Sequence, residues 1–291
     1  MKTAEKLALK SKFKRQLKAF VRTLPGYIAG DDSQWTIKGF IDIYKNIYTL
    51  TADTKVVSKV LEIHLLPRIL EFAERHSYSL VLPEYQNHYP DFSFVARKDD
   101  AIKFAVDMKT TYRLPSNPEF CNRFTLGSHG SYFVNRSGKK NIRFPYGDYL
   151  GHFCLGIIYT RTDGATRDQS EVCSVRRLRS ITSVIRDFQF FVAEKWEIAS
   201  DKQGSGNTAN IGSISRIRDL LRGNGIFKKL GEKWFDDYWM NYGRITVTTP
   251  DGKQKAITRL ADFLRYKGKD ESLVNPCVGP RRKKGPRSRK Q

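Results

Sequence analysis

Cysteine is scarce and scattered in this chain of 291 residues: there are four, Cys121, Cys154, Cys173 and Cys277. None forms a CxxC pair and no histidine stands at zinc-finger spacing from them. They read as reduced packing or surface residues, and the spacing argues against a structural zinc. The five histidines form no HExxH or similar cluster. Long apolar runs are missing too, and none approaches the ~20 residues of a membrane span. The N-terminal stretch MKTAEKLALKSKFKRQLKAF is basic throughout, without an apolar segment of signal-peptide length. A cytoplasmic location is the expectation. Acid is also in short supply, with 30 Asp and Glu against 52 Lys and Arg and a formal charge of +22. Such an excess costs self-repulsion in the compact state and points to a polyanionic partner. Nucleic acid is the first candidate and an anionic membrane surface the second.

A hydrophobic fraction of 40%, with 12% aromatics, is enough for a real core. Apolar residues recur at helical spacing over 3–23 (Leu7, Leu9, Phe13, Leu17, Phe20, Val21), opposite a face of Lys and Arg. A second helix is predicted over 54–76, capped by Asp53 or Thr54, with Pro67 expected to kink or break it. DFSFVA (91–96) and AIKFAVDMKT (101–110) read as strands, with RKDD between them as a hairpin turn. RFTL (123–126), SYFV (131–134) and HFCLGIIYTR (152–161) are further strand candidates, the last apolar enough for a central strand. The signals over 181–199 are mixed. A glycine-rich loop, GSGNTANIGS, occupies 204–213, and 214–243 reads as largely helical. The tail from Pro276 is poor in apolar residues and ends in seven basic residues with no acid, the signature of disorder.

FAVDMKTTYR (104–113) places charge in what otherwise reads as a buried strand. Side chains two apart on a strand share a face, so Asp107 and Lys109 point the same way. One reading is a half-exposed strand with a solvated ion pair. The other is a site for a metal and a phosphate. Asp91 follows Pro90 and opens the preceding strand, and an antiparallel return brings it beside Asp107. Two close carboxylates repel unless a cation lies between them. All-oxygen ligation favours magnesium over zinc, and the Met108 carbonyl can add a third oxygen. Lys109 would then stabilise charge on phosphate oxygens, or orient and deprotonate a water. The second role requires its pKa to fall well below ~10.4.

Pro-Asp, a spacer and Asp-x-Lys form the pattern of the PD-(D/E)xK nucleases, weak when taken alone. Together with it, QNHYPDF (86–92), VDMKTTY (106–112), FTLG (124–127), YTR (159–161) and GSGNTANIGSI (204–214) resemble the EcoRV family of type II restriction endonucleases. The ordered match runs from about 53 to 242, roughly two thirds of the chain.

The resemblance implies an α/β fold, a restriction-endonuclease-like mixed β-sheet core flanked by helices, with a DNA-recognition loop subdomain. It makes Asp91 and Asp107 metal ligands and Lys109 the catalytic lysine. Glu62 matches a further acidic residue, for a second metal or a metal-bound water; an ordinary solvated helix glutamate is the alternative. The loop residues Gly204, Ser205, Gly206, Asn207, Thr208 and Asn210 would read the major groove. Glycine lets backbone approach base edges, Asn207 can bond adenine bidentately, and the Thr208 methyl can pack on thymine. Ala209 departs from a Thr of the family pattern, which leaves discrimination at one point open. Gln86 and Asn87 would lie in the minor groove. Thr111, Ser131, Lys140 and the basic N-terminal face are candidates for phosphate contact.

The implied activity is magnesium-dependent hydrolysis of both strands of a short palindrome in double-stranded DNA, by a homodimer. GATATC, cut to blunt ends, is the first target to test. The expected organisation is an N-terminal helix and dimerisation region at 1–50, a catalytic and recognition domain at 51–275, and a basic tail at 276–291. A repair or junction-resolving nuclease of the same fold, and a non-catalytic DNA-binding protein, are the rival readings.

Overall fold

A computed structural model describes residues 1–162, 170–204, 209–249, 252–277 and 279–280. The chain opens with α1 (Thr3–Val21) and the short α2 (Pro25–Ile28), then strands β1 (Gly39–Ile41) and β2 (Asn46–Thr49). The long α3 (Thr54–Arg75) leads into β3 (Tyr78–Val81), β4 (Phe92–Ala96), β5 (Lys103–Leu114), β6 (Asn117–Cys121) and β7 (Thr125–Ser128). A helical turn, α4 (Ser131–Val134), precedes β8 (Tyr149–Arg161), β9 (Val172–Ser174) and β10 (Ile185–Glu194). Then come α5 (Lys195–Ile198), β11 (Ala199–Gln203), β12 (Asn210–Ser213), α6 (Ile217–Arg222) and α7 (Glu232–Asn241). Strands β13 (Thr246–Thr248) and β14 (Gln254–Ala256) and helix α8 (Leu260–Tyr266) complete the order.

The main sheet runs β10-β8-β5-β4-β3, with β6 added beside β5. Only β5 and β8 pair in parallel within it, so the sheet is mixed. HFCLGIIYTR lies in β8, between β10 and β5, as its apolar run predicts. Strand alternation gives the sheet two apolar faces. On one, Phe104, Val106, Met108, Phe153, Leu155 and Ile157 pack under α1 and α3. On the other, Ala105, Cys154, Ile158, Phe191 and Ala193 meet the later helices.

Helix α1 forms because its apolar stripe has a place to go. Phe13 is fully buried and stacks on Phe104 with centroids 4.2 Å apart. Leu17 and Val21 follow on the same stripe, whereas Leu7 is exposed. The buried stripe is not wholly apolar: Lys10 on it and Lys14 at its flank are drawn into ion pairs with Glu194, Glu197 and Glu232. Asp53 caps α3, its carboxylate accepting from the backbone N–H of Lys55 at 2.8 Å and Val56 at 3.0 Å. The expected break at Pro67 does not occur, and α3 runs through it to Arg75. Buried residues on both sides of the proline, Leu61, Leu65, Ile69 and Phe72, hold the helix by packing where one backbone bond is lost.

SYFV was expected as a strand and is the helical turn α4. A strand would send the adjacent Tyr132 and Phe133 to opposite faces, yet both are buried in the same core. The mixed stretch 181–199 resolves as strand to Glu194 and then one helical turn. The segment 214–243 holds two helices, α6 ending at Gly223, which takes the left-handed conformation that glycine allows. Among the described residues no helix is long and apolar enough to cross a membrane. The final basic run, 281–290, lies outside the described residues.

Candidate active site

The β4–β5 hairpin sets the register that the sequence left uncertain by one residue. Phe92 stands opposite Val106, which places Asp91 at the level of Asp107. Asp91 Oδ2 accepts a hydrogen bond from the backbone N–H of Met108 at 2.7 Å. Lys109 Nζ lies 2.7 Å from Asp107 Oδ2, as two side chains on one strand face should. All three line an open cleft of about 430 Å³. Gln86, Asn87 and His88 form one part of its wall, and Ser128, Ser131, Tyr132, Asn141 and Asn210 another.

The charges in this cleft are mutually dependent. Burial, and then the neighbouring Asp107, push the Asp91 carboxyl up to about 7. Burial also works against the ionised form of Asp107, but Lys109 and Lys195 outweigh it and hold the group below its usual range. Burial pulls Lys109 down, yet Asp107 and Asp91 overcome this, and its pKa is raised. A lysine acting as base needs the opposite shift. In this arrangement Lys109 is a fixed ammonium.

Asp91 thus stands beside a second carboxylate with its own ionisation suppressed, a conflict that a divalent cation relieves. The donors fit a hard ion: both side chains offer oxygen only. Magnesium characteristically takes one or two carboxylates together with water and substrate phosphate. Among the described residues no group of three or more His, Cys, Asp or Glu side chains that could hold a metal comes together, and the cleft brings together the two carboxylates Asp91 and Asp107.

Glu62 is not brought to the cleft wall. It lies on α3, with its carboxylate 2.8 Å from Lys59 Nζ. Thr111 is also placed elsewhere: it is buried, and its hydroxyl donates to the Asn122 carbonyl at 2.6 Å. Ser131 lines the cleft, and the exposed Lys140 adjoins Asn141 on its wall. Of the basic N-terminal face, Lys10 and Lys14 are spent in internal ion pairs. Ser205, Gly206, Asn207 and Thr208 lie outside the described residues. The base of their loop is clamped, with Gly204 N–H donating to Asn210 O at 2.9 Å and His129 N–H to Ala209 O at 2.8 Å. At Gly204 a Cβ would come within 2.6 Å of Thr125 Cγ2, so packing against β7 itself calls for glycine there.

The residues QNHYPDF, VDMKTTY and the base of the glycine-rich loop therefore meet in one cleft. The family model for restriction endonuclease EcoRV matches residues 31–268. The chain belongs to the EcoRV restriction endonuclease family. It is 37% identical over 241 residues to the type II restriction enzyme EcoRV of Escherichia coli, covering 82% of this chain and 94% of that enzyme. As a member of the EcoRV family the chain is a type II restriction endonuclease, a site-specific deoxyribonuclease acting on DNA. Such nucleases are generally dependent on a divalent metal.

One charged residue at this site escaped the sequence reading. Lys195 begins α5, is 3% exposed, and sets its Nζ 3.8 Å from the centroid of the Tyr89 ring. Burial lowers its pKa to about 8, against the pull of Asp107. Its signal was a lysine inside FVAEKWEIA, a run otherwise reading as core, but nothing local linked it to Asp107.

Proposed function

We propose that this family member hydrolyses both strands of a short palindrome in double-stranded DNA, with magnesium as its metal, and that GATATC cut to blunt ends is its target. The carboxylate pair beside a fixed ammonium, at the floor of an open cleft, carries this reading. Asp91 and Asp107 hold the metal. Magnesium bound there supplies Lewis acidity for the attacking water and for the leaving oxygen. Lys109 keeps its proton on Nζ and offsets charge that develops on the phosphate oxygens. Glu62 enters only through the resemblance, being paired with Lys59 on α3.

That Gln86, Asn87 and Asn210 line the same cleft as the carboxylate pair supports contact with DNA there. The recognition loop 204–210 reads the major groove, and Ser131 and Lys140 contact phosphate. Symmetric cutting requires a homodimer with one site per strand. Its support is the exposed apolar group Phe40, Ile41, Ile43, Tyr44 and Val172 around β1, β2 and β9, within or adjoining the N-terminal region. A cytoplasmic location completes the reading.

Digestion of a plasmid carrying one GATATC site tests it. Wild-type protein with magnesium is expected to give one linear, blunt-ended product. Asp91→Ala is expected to bind the same DNA without cutting it. No cutting with any of several divalent ions overturns the proposed activity, and cutting by Asp91→Ala overturns the site assignment.

A further inference from the structure

Lys195 places a second ammonium against two residues that line the cleft, Tyr89 and Gly127. Its Nζ stands over the Tyr89 ring, and Tyr89 is the residue two before Asp91. It is also pressed against the cleft wall at Gly127, where a Cβ would come within 3.0 Å of both Lys195 Nζ and the Tyr132 hydroxyl. Gly127 is at φ +93°, so chain conformation and close approach both leave that space to the lysine. Tyr89 is fixed in turn, its hydroxyl 2.9 Å from His152 Nδ1 and its ring stacked on Tyr132.

The lysine's own backbone is held from the far side. Glu194 and Glu197 form a reciprocal capping box around α5. Their carboxylates are engaged by Lys10 and Lys14 of α1, with Lys14 Nζ 2.9 Å from Glu194 and 2.7 Å from Glu197. The acids adjoining Lys195 in sequence are thereby occupied, and its ammonium is directed to the cleft side, against Tyr89 and Gly127.

We propose that Lys195 is a positioning residue that acts as a built-in counter-cation: it supports the carboxylate pair and, by charge repulsion, limits how tightly the site takes up a divalent cation. This rests on the metal-site assignment above. With both carboxylates ionised, the form that takes up a metal, two carboxylates and two ammonium groups sum to zero. Removing one ammonium leaves it negative, and a divalent ion then binds more tightly.

The test is titration of Mn2+ into the metal-free full-length protein without DNA, read by electron paramagnetic resonance, with circular dichroism confirming the fold. Lys195→Met is expected to tighten Mn2+ binding roughly tenfold, the scale of one charge removed near a partly buried site. Lys195→Arg keeps the charge and is expected to stay within about twofold of wild type by that argument. Should Lys195→Met fail to fold, Lys195→Gln gives the same reading. Unchanged or weaker Mn2+ binding in the folded neutral variant overturns the proposal. So does equal tightening in Lys195→Arg, which would assign the effect to packing. Failure of wild-type protein to bind Mn2+ strikes the underlying metal site instead.

Discussion

Replacing Asp91 by Asn removes one charge from the cleft while keeping a carbonyl oxygen to accept the Met108 N–H. The wild-type carboxyl is raised from 3.8 to about 7, by burial first and by Asp107 second. In the unfolded chain it ionises near its ordinary value. Below about pH 4 it is protonated in both states, and the substitution changes nothing electrostatic. As pH rises from about 4 to about 7 the unfolded state loses its proton and the native state retains it, so wild-type stability falls. Above pH 7 the penalty is complete and level. Three units at about 1.4 kcal/mol each bound it near 4 kcal/mol. Asp91 keeps some contact with water, and screening halves this to about 2 kcal/mol. In a chain of this size that is a rise in Tm of about 4 °C. Calorimetry with chelator at pH 8 is expected to show Asp91→Asn as the more stable protein, with the gain largely gone at pH 4.5. Magnesium should stabilise wild type and have little effect on the variant. No gain at pH 8, or an equal gain at both pH values, would refute the electrostatic reasoning.

Lys109→Met is expected to lower cleavage at least about 100-fold, as losing a charge-stabilising donor does, with DNA binding in calcium little changed in a gel-shift assay. Lys14→Met takes the one cation paired with Glu197, while Glu194 keeps Lys10, and should cost about 3 kcal/mol in urea denaturation. Lys140→Ala should make the salt dependence of DNA binding shallower by about 0.9 in log–log slope without changing the sequence cut. Deleting 281–290 should flatten that slope further and leave the cleavage site unchanged, measured by nitrocellulose filter binding and end-mapping of the cut.

The β4–β5 hairpin was legible because everything that defines it is local. A short turn joins two alternating runs, so the placing of Asp91, Asp107 and Lys109 follows from a few residues of chain. β8 was equally plain, since a strand covered on both faces must be apolar throughout. SYFV misled because its composition suits a strand, and only the core that receives both Tyr132 and Phe133 decides for a turn of helix. Pro67 does not end α3, because packing along the helix outweighs the local penalty. Thr111 follows Lys109 closely in sequence, yet the Asn122 carbonyl, set by the return of the chain through β6, claims its hydroxyl. Lys195 was the hardest to see. Tyr89, Asp107 and Gly127, which give it meaning, precede it by some 70 to 106 positions.

The basic character of the chain divides into two populations that composition cannot separate. Lys10, Lys14 and Lys195 face inward: Lys10 and Lys14 pair with the buried Glu194 and Glu197 and the half-exposed Glu232, and Lys195 favours the ionised form of the buried Asp107. They contribute to the formal charge of +22 but not to any surface that DNA can reach. Lys139, Lys140 and Arg143 are exposed and flank Asn141 at the cleft wall, and Arg176, Arg177 and Arg179 are exposed after β9. On the proposed reading, a phosphate backbone crossing the cleft would meet the first of these groups beside Asn141. The inward lysines have a different task, since carboxylates held in the interior must be offset by charge of the opposite sign. The same residue type therefore meets solvent where it is exposed and offsets acid where it is buried, and burial is what tells the two apart.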